Sequence, residues 1–177
     1  MCELTLTLLF FHLTTNHRPS RMNRNSALVT AVFLSLVVYA THAEVVHWHS
    51  CPEPISTNCV IHEVRVEPCA EALESKPCGL KRGRNASISF DYTADFSGNV
   101  FSRAYWASEL MDLPFLGMPL DACTSTVCPV QPGQRQTYSV VLPISKKFPT
   151  RKYDLKWKLW NEQENSCCFM LAIKLLK

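Results

Sequence analysis

The first residues with chemistry to offer are His47, His49 and Cys51, spaced two apart so that a strand would set all three on one face. Imidazole and thiolate are zinc ligands, and three of them make most of a site. Against that stands the cysteine count. The chain has nine cysteines, and all but Cys2 lie beyond residue 50, the pattern of a disulfide framework. Cys123 and Cys128 close a short loop but have no second pair to complete a metal clip. His62 falls on the inward face of an expected strand and reads as a core histidine. Glu109 and Asp112 read as solvated rather than as a general acid and base. The chain has no G-x-S-x-G, no H-E-x-x-H and no phosphate loop. The expectation is therefore a protein that is not an enzyme, with no cofactor and no metal.

The stretch that carries a chemistry is noncovalent. Leu113–Pro129 reads LPFLGMPLDACTSTVCP, an apolar run broken by prolines and followed by the small cysteine loop. Pro114 and Pro119 each remove a ladder donor, which argues against a central strand. The run is also too apolar for a solvated loop. A greasy, irregular segment pinned by a cysteine loop suggests the rim of an apolar hole. Such a hole needs apolar walls and few polar anchors. Leu113, Phe115, Ile144, Phe148 and Trp157 are the candidate wall residues; taken alone, they would pass for plain core.

The elements that would hold this wall begin after an N-terminal segment of another kind. Ala27–Ala40 is an apolar run, shorter than the ~20 residues of a membrane span. Arg24 precedes it, and Thr41-His42-Ala43 follows with small residues at both positions that signal peptidase reads. This is the three-part pattern of a secretory signal. Residues 1–21 are expected to be an upstream extension, 22–43 the signal peptide and 44–177 one domain. Losing Cys2 leaves Cys51, Cys59, Cys69, Cys78, Cys123, Cys128, Cys167 and Cys168, an even set. Asn85-Ala86-Ser87 is a glycosylation sequon on Asn85, consistent with the secretory pathway. The net charge of +3 is too small for a dedicated nucleic-acid binder.

From residue 44 on, the chain reads as strands. Val45–Ser50 is a short first strand. Val60–Val66 places Val60, His62, Val64 and Val66 on one face. Asn85–Tyr92 alternates, with Ile88, Phe90 and Tyr92 inward. Val100–Ala107, Gln136–Ile144, Tyr153–Trp160 and Cys167–Leu176 complete the set, with turns at Gly79–Arg84, Ser97–Asn99 and Pro132-Gly133. About seven strands and no strong helix give an all-β fold: an immunoglobulin-like, two-sheet antiparallel β-sandwich.

These residues resemble the ML lipid-recognition family, and within it the branch of the Niemann–Pick type C2 sterol-transfer proteins. The matching pieces are Val60–Cys69 (VIHEVRVEPC), Cys78–Gly83 (CGLKRG), Asp121-Ala122-Cys123 with Cys128-Pro129, Leu142-Pro143-Ile144, Phe148-Pro149, and Trp157 ahead of Cys168. They span nearly all of residues 44–177 in the family's order. The resemblance implies an internal lipid pocket between splayed sheets, holding a sterol or fatty acid, and no enzymatic activity. It places Phe115 at a pocket phenylalanine, Ile144 at a pocket valine and Phe148 at a pocket tyrosine near the opening. It also marks departures: Trp106 stands where the family often has a small residue, and Thr124 where a lysine is common.

The family pattern agrees with local disulfides Cys69–Cys78 and Cys123–Cys128, whose short loops cost little entropy to close. Of the other four cysteines, adjacent Cys167 and Cys168 make a strained pair. Cys51 and Cys59 are then expected to staple the last strand, with a leaning to Cys51–Cys168 and Cys59–Cys167 that strand alternation does not decide. Lys146, Lys147, Arg151 and Lys152 cluster around Phe148. They form a candidate basic collar for anionic headgroups, where each cation is worth about 1 kcal/mol. The expected protein is a monomeric, secreted or endolysosomal sterol carrier that touches an anionic membrane or a membrane sterol receptor and binds no nucleic acid. The alternatives are an extracellular lipid-recognition module of innate immunity and a carrier of fatty acids or semiochemicals.

Overall fold

The computed structural model describes residues 43–52 and 58–177. The expected extension at 1–21, all of the expected signal except Ala43, and the tip of the Cys51–Cys59 loop lie outside these residues.

Two sheets face each other. One runs in the order β1 (Glu44–Val45), β3 (Cys59–Glu67), β5 (Asn85–Ala94), β8 (Arg135–Pro143). The other runs β2 (His49–Ser50), β10 (Ser166–Leu176), β9 (Lys152–Asn161), β6 (Val100–Ala107), β7 (Leu113–Pro114), with β4 (Cys78–Lys81) also on β10. Period-two alternation sets the inner faces. Ile88, Phe90 and Tyr92 of β5 are buried, as are Leu155, Trp157 and Leu159 of β9 and Phe169, Leu171, Ile173 and Leu175 of β10.

An aromatic cluster fills the middle. Phe90 stacks on Tyr138 at 4.9 Å and meets Phe169 edge-on at 4.9 Å. Trp157 lies 5.8 Å from Tyr138 and 6.3 Å from Phe169. Its indole N–H donates to Ser102 Oγ at 3.0 Å. A buried indole needs such a partner, and Ser102 is itself fully buried.

The structure departs from the sequence reading in three places. The first strand is two: Val46 still donates its N–H to Val64 in one sheet, and His49 then pairs with Met170 in the other. Buried Val46 and partly buried Trp48, the latter against Phe169, draw the chain across. His62 is not in the core. A bulge between Ile61 and Glu63 inserts it as an extra residue, which re-phases the strand. Ile61, Val64 and Val66 therefore pack inward while Val60 and His62 face solvent, and His62 bonds Thr93 Oγ1 at 2.8 Å. Finally, Cys78–Lys81 is a strand rather than part of a turn, and it pairs with β10 in parallel. The sandwich is otherwise antiparallel throughout.

Candidate lipid site

The rim segment runs antiparallel beside β6. Leu113 and Pro114 oppose Trp106 and Tyr105. Phe115 N–H then donates to Ala104 O at 2.8 Å, and Leu120 O accepts from Ser102 N–H at 2.8 Å. Prolines at 114 and 119 keep this pairing intermittent, because each lacks the N–H a ladder needs. The result is an irregular edge whose side chains splay. Phe115 and Met118 turn into the core; Leu113 is 53% exposed and Leu116 74% exposed.

Opposite this edge, the connection from β8 to β9 crosses from one sheet to the other. Arg82 holds it in place: one Nη1 donates to the carbonyls of Lys146, at 3.0 Å, and Phe148, at 2.8 Å. Gly83 N–H to Ile144 O and Ile144 N–H to Arg84 O add two backbone bonds. Gly83 adopts φ +75°, and a Cβ there would collide with the Lys146 stem. The left-handed φ is what favours glycine here, since the exposed Lys146 side chain could move aside.

Between the two edges lies an apolar groove of about 490 Å³, lined by Trp106, Leu113, Pro114, Leu116, Phe148, Pro149, Arg151 and Tyr153. That volume lies in the usual range for a small-molecule site, roughly 300–1,000 Å³. Its floor is an aromatic cluster around Trp106, whose ring centre lies 4.5 Å from Tyr153, 5.2 Å from Phe148 and 5.3 Å from Phe115. Tyr153 Oη donates to Pro149 O at 2.9 Å, which fixes that ring.

A family model described as the ML domain matches residues 45–175. The chain belongs to the ML-domain family. It is 39% identical over 133 residues to an MD-2-related lipid-recognition protein of Manduca sexta, covering 73% of this chain and 85% of that one. It is 28% identical over 151 residues to the NPC intracellular cholesterol transporter 2 of Mus musculus, covering 84% and 97%. The crystal structure of a Niemann-Pick type C2 protein from Japanese carpenter ant shares the fold, with a TM-score of 0.65 at 18% identity over 73% of this chain and 99% of that one.

In this ML domain, two of the five expected wall residues, Leu113 and Phe148, line the groove directly. Phe115 is buried behind Phe148, 5.5 Å from its ring. Ile144 is buried at the root of the β8–β9 connection. Trp157 is elsewhere: it belongs to the central cluster with Phe90, Tyr138 and Phe169 and is 0% exposed. Sequence reasoning missed Tyr153 and Arg82. Tyr153 was legible as an inward residue of β9; the Arg82 clamp had no signal beyond the family motif.

The collar residues Lys146, Lys147, Arg151 and Lys152 are exposed, and Arg151 alone also lines the groove. Asn85 is exposed at the first position of β5. Disulfides join Cys69 to Cys78 and Cys123 to Cys128, and the last strand is stapled by Cys51–Cys168 and Cys59–Cys167. Cys51 is therefore not a free ligand beside His47 and His49. Among the described residues no group of three or more His, Cys, Asp or Glu is placed to hold a metal.

On the outer face of the first sheet, Asp91 accepts from Arg65, Arg135 and Thr137. The Arg65 guanidinium, helped by Arg135 and Thr137, holds its carboxyl well below the usual carboxylate range, and Arg65 is raised in turn. Burial pushes the Tyr92 and Tyr138 phenols up.

Proposed function

We propose that this ML domain is a lipid carrier that takes a sterol or a similarly apolar lipid at the groove and releases it to a membrane without catalysis. The observation that carries the reading is the groove itself. Its wall is aromatic and aliphatic, with one charged residue, and it opens beside a collar of exposed cations. Apolar burial at about 25 cal/mol per Å² holds such a ligand, less the ordering costs of binding. Leu113, Phe115, Ile144 and Phe148 shape the binding end. Lys146, Lys147, Arg151 and Lys152 meet anionic headgroups during transfer. The relatives named as a cholesterol transporter and as a lipid-recognition protein support the same class.

The chain enters the secretory pathway through a signal at 22–43, carries a glycan on Asn85, and works as a monomer outside the cell or in the endolysosomal lumen. The four disulfides fit an oxidising compartment. No helix among the described residues is long and apolar enough to cross a membrane. A second reading, an extracellular recognition module that presents bound lipid to an immune receptor, draws on the exposed apolar side chains of the rim segment: Leu110 is 96% exposed, Met111 63% and Leu116 74%.

The test is mass spectrometry of lipid extracted from the secreted protein, with fluorescent-sterol and fatty-acid titrations of the stripped protein. A folded protein that carries and binds no lipid would refute the carrier reading.

A further inference from the structure

We infer that the outer face of the second sheet is a separate binding surface for a sulfated acidic polysaccharide, held through Arg103, Lys158, Phe101 and Trp160. It lies apart from the groove and does not depend on the lipid reading.

The charges on this face are left unmatched. Arg103 of β6 stands directly opposite Lys158 of β9 in the register. Like charges directly opposite destabilise a sheet. The outer face of the first sheet shows the usual remedy, where Arg65 and Arg135 share the Asp91 carboxylate. Here the residue on the other side of Lys158 is disulfide-bonded Cys168. Arg103 takes part in no ion pair among the described residues. Lys158 has a loose contact with Glu164, at 3.8 Å, and that glutamate is itself 77% exposed. Lys156, the next outward residue of β9, is by contrast matched by Asp112 at 2.7 Å.

Two aromatic rings stand beside the facing cations. Phe101 and Trp160 oppose each other two residues along, with ring centres 6.1 Å apart. Lys158 Nζ lies 5.5 Å from the centre of the Trp160 ring. Both rings are half-buried on an outward face, so each keeps apolar area for a partner.

β9 is bonded on both sides, by β6 and β10, so the face has no free backbone edge to take a peptide strand. It offers side chains only. A sulfated sugar chain fits them: its rings are flat enough to lie on Phe101 and Trp160, and its sulfates accept from a guanidinium and an ammonium. The four disulfides fit the oxidising compartments where such polymers occur. A bilayer is also anionic, but the collar that meets it stands at the opposite end of β9. Lys152 and Trp160 are ~26 Å apart along the strand, at about 3.3 Å per residue.

The experiment titrates the secreted protein at fixed ionic strength with a heparin octasaccharide, with the same oligosaccharide stripped of sulfate, and with polyglutamate of matched length. The wild type should bind the sulfated chain at least about 10-fold more tightly than either control, the worth of one charge-assisted contact. Arg103→Gln together with Lys158→Gln should remove most of that preference, and Trp160→Leu should weaken binding about 2- to 10-fold. Thermal melts of the charge variants should not fall, since each loses one of two facing cations; the single variants carry the test if the double one unfolds. Sterol affinity should stay as it was. Replacing Lys146, Lys147 and Lys152 by Gln should leave octasaccharide binding in place. Equal binding of polyglutamate would overturn the assignment, as would loss of octasaccharide binding in the collar variant but not in the Arg103 and Lys158 variants. No octasaccharide binding by folded wild type would overturn it as well, and each of these results leaves the carrier reading standing.

Discussion

Phe148 and Trp157 separate a groove wall from a core residue. Phe148 is half-buried, and a groove ligand would cover much of the rest. Fully burying a Phe is worth about 1.5–3 kcal/mol, so covering half contributes ~0.75–1.5 kcal/mol. The ring also orders Trp106 and Phe115, at 5.2 and 5.5 Å, and such pairs add about 0.5–1.5 kcal/mol. Phe148→Ala should therefore weaken lipid binding by ~1.5–3 kcal/mol, roughly 10- to 100-fold. Its stability cost should be below the ~3–5 kcal/mol of a fully packed Phe→Ala, about half of it. Trp157→Phe should do the reverse. It removes the indole donor and leaves buried Ser102 Oγ without it, costing about 1–3 kcal/mol, while the groove and its affinity stay as they were. The assays are fluorescent-sterol titration and urea unfolding of the same two variants. Loss of stability without loss of affinity in Phe148→Ala, or the main affinity loss in Trp157→Phe, would refute the placement of the site.

Replacing Lys146, Lys147 and Lys152 by Gln should slow delivery to anionic vesicles but leave affinity in solution intact; the effect should fade with salt, and equal rates at low salt would contradict it. Asp91→Asn should cost ~1–2 kcal/mol. Because the folded carboxyl titrates below its unfolded value of about 3.9, that stability is present above this value and is lost only as pH falls through the folded one. Urea melts should show the same gap at about pH 7 and pH 5, and a gap already closed near pH 5 would be against it. Replacing Cys59 and Cys167 together by Ala removes a staple whose ends the intact Cys51–Cys168 bond still holds close, so the loop freed is only about ten residues and the cost should be about 2–3 kcal/mol on the chain-entropy account, read as a lower urea midpoint. Secreted protein should begin at or near Glu44 and lose mass on deglycosylation unless Asn85 is replaced by Gln; N-terminal sequencing that finds Met22–Ala43 retained would reject the signal.

The strands were legible because most obey one rule. Asn85–Ala94 alternates without interruption, and its burial follows the sequence residue by residue. The exceptions are places where a neighbour overrules alternation. His62 reads as inward until the bulge beside Tyr92 is known. Nothing in VIHEVRV marks a bulge, since no glycine is present. Cys78–Lys81 hides as a turn because a parallel edge strand needs only one buried face position in two, and its partner lies almost a hundred residues further on at Ile173–Leu176. The two long disulfides were undecidable for the same reason. Cys167 and Cys168 are adjacent, so alternation sends one to each face of β10. The pairing is fixed by what stands across each face: sheet-to-sheet Cys59 for the inward Cys167, and Cys51, next to Ser50 in the β2–β10 register, for Cys168.

The site divides along the same line. The rim was legible because prolines amid leucines argue against a central strand and suggest the edge of an apolar hole; the expectation that it is too apolar for solvent holds only for Phe115 and Met118, while Leu113, Leu116 and Leu120 stay exposed. Trp157 lies away from the groove, in the central cluster, and an inward aromatic on a strand looks the same in sequence in either place; its bond to Ser102 ties it to the centre. Trp106 is the converse case. Set where a smaller side chain is common in the resemblance, it fills the space between the groove and the buried Phe115 with its own indole. A ligand that reaches the interior has to displace that ring. The ring's partner Phe148 sits on the β8–β9 connection held by the Arg82 clamp, and its partner Tyr153 lies at the start of β9, bonded back to Pro149 O of that connection. The width of the site thus depends on contacts far apart in the chain, Arg82 against Lys146 and Phe148, which no local pattern encodes.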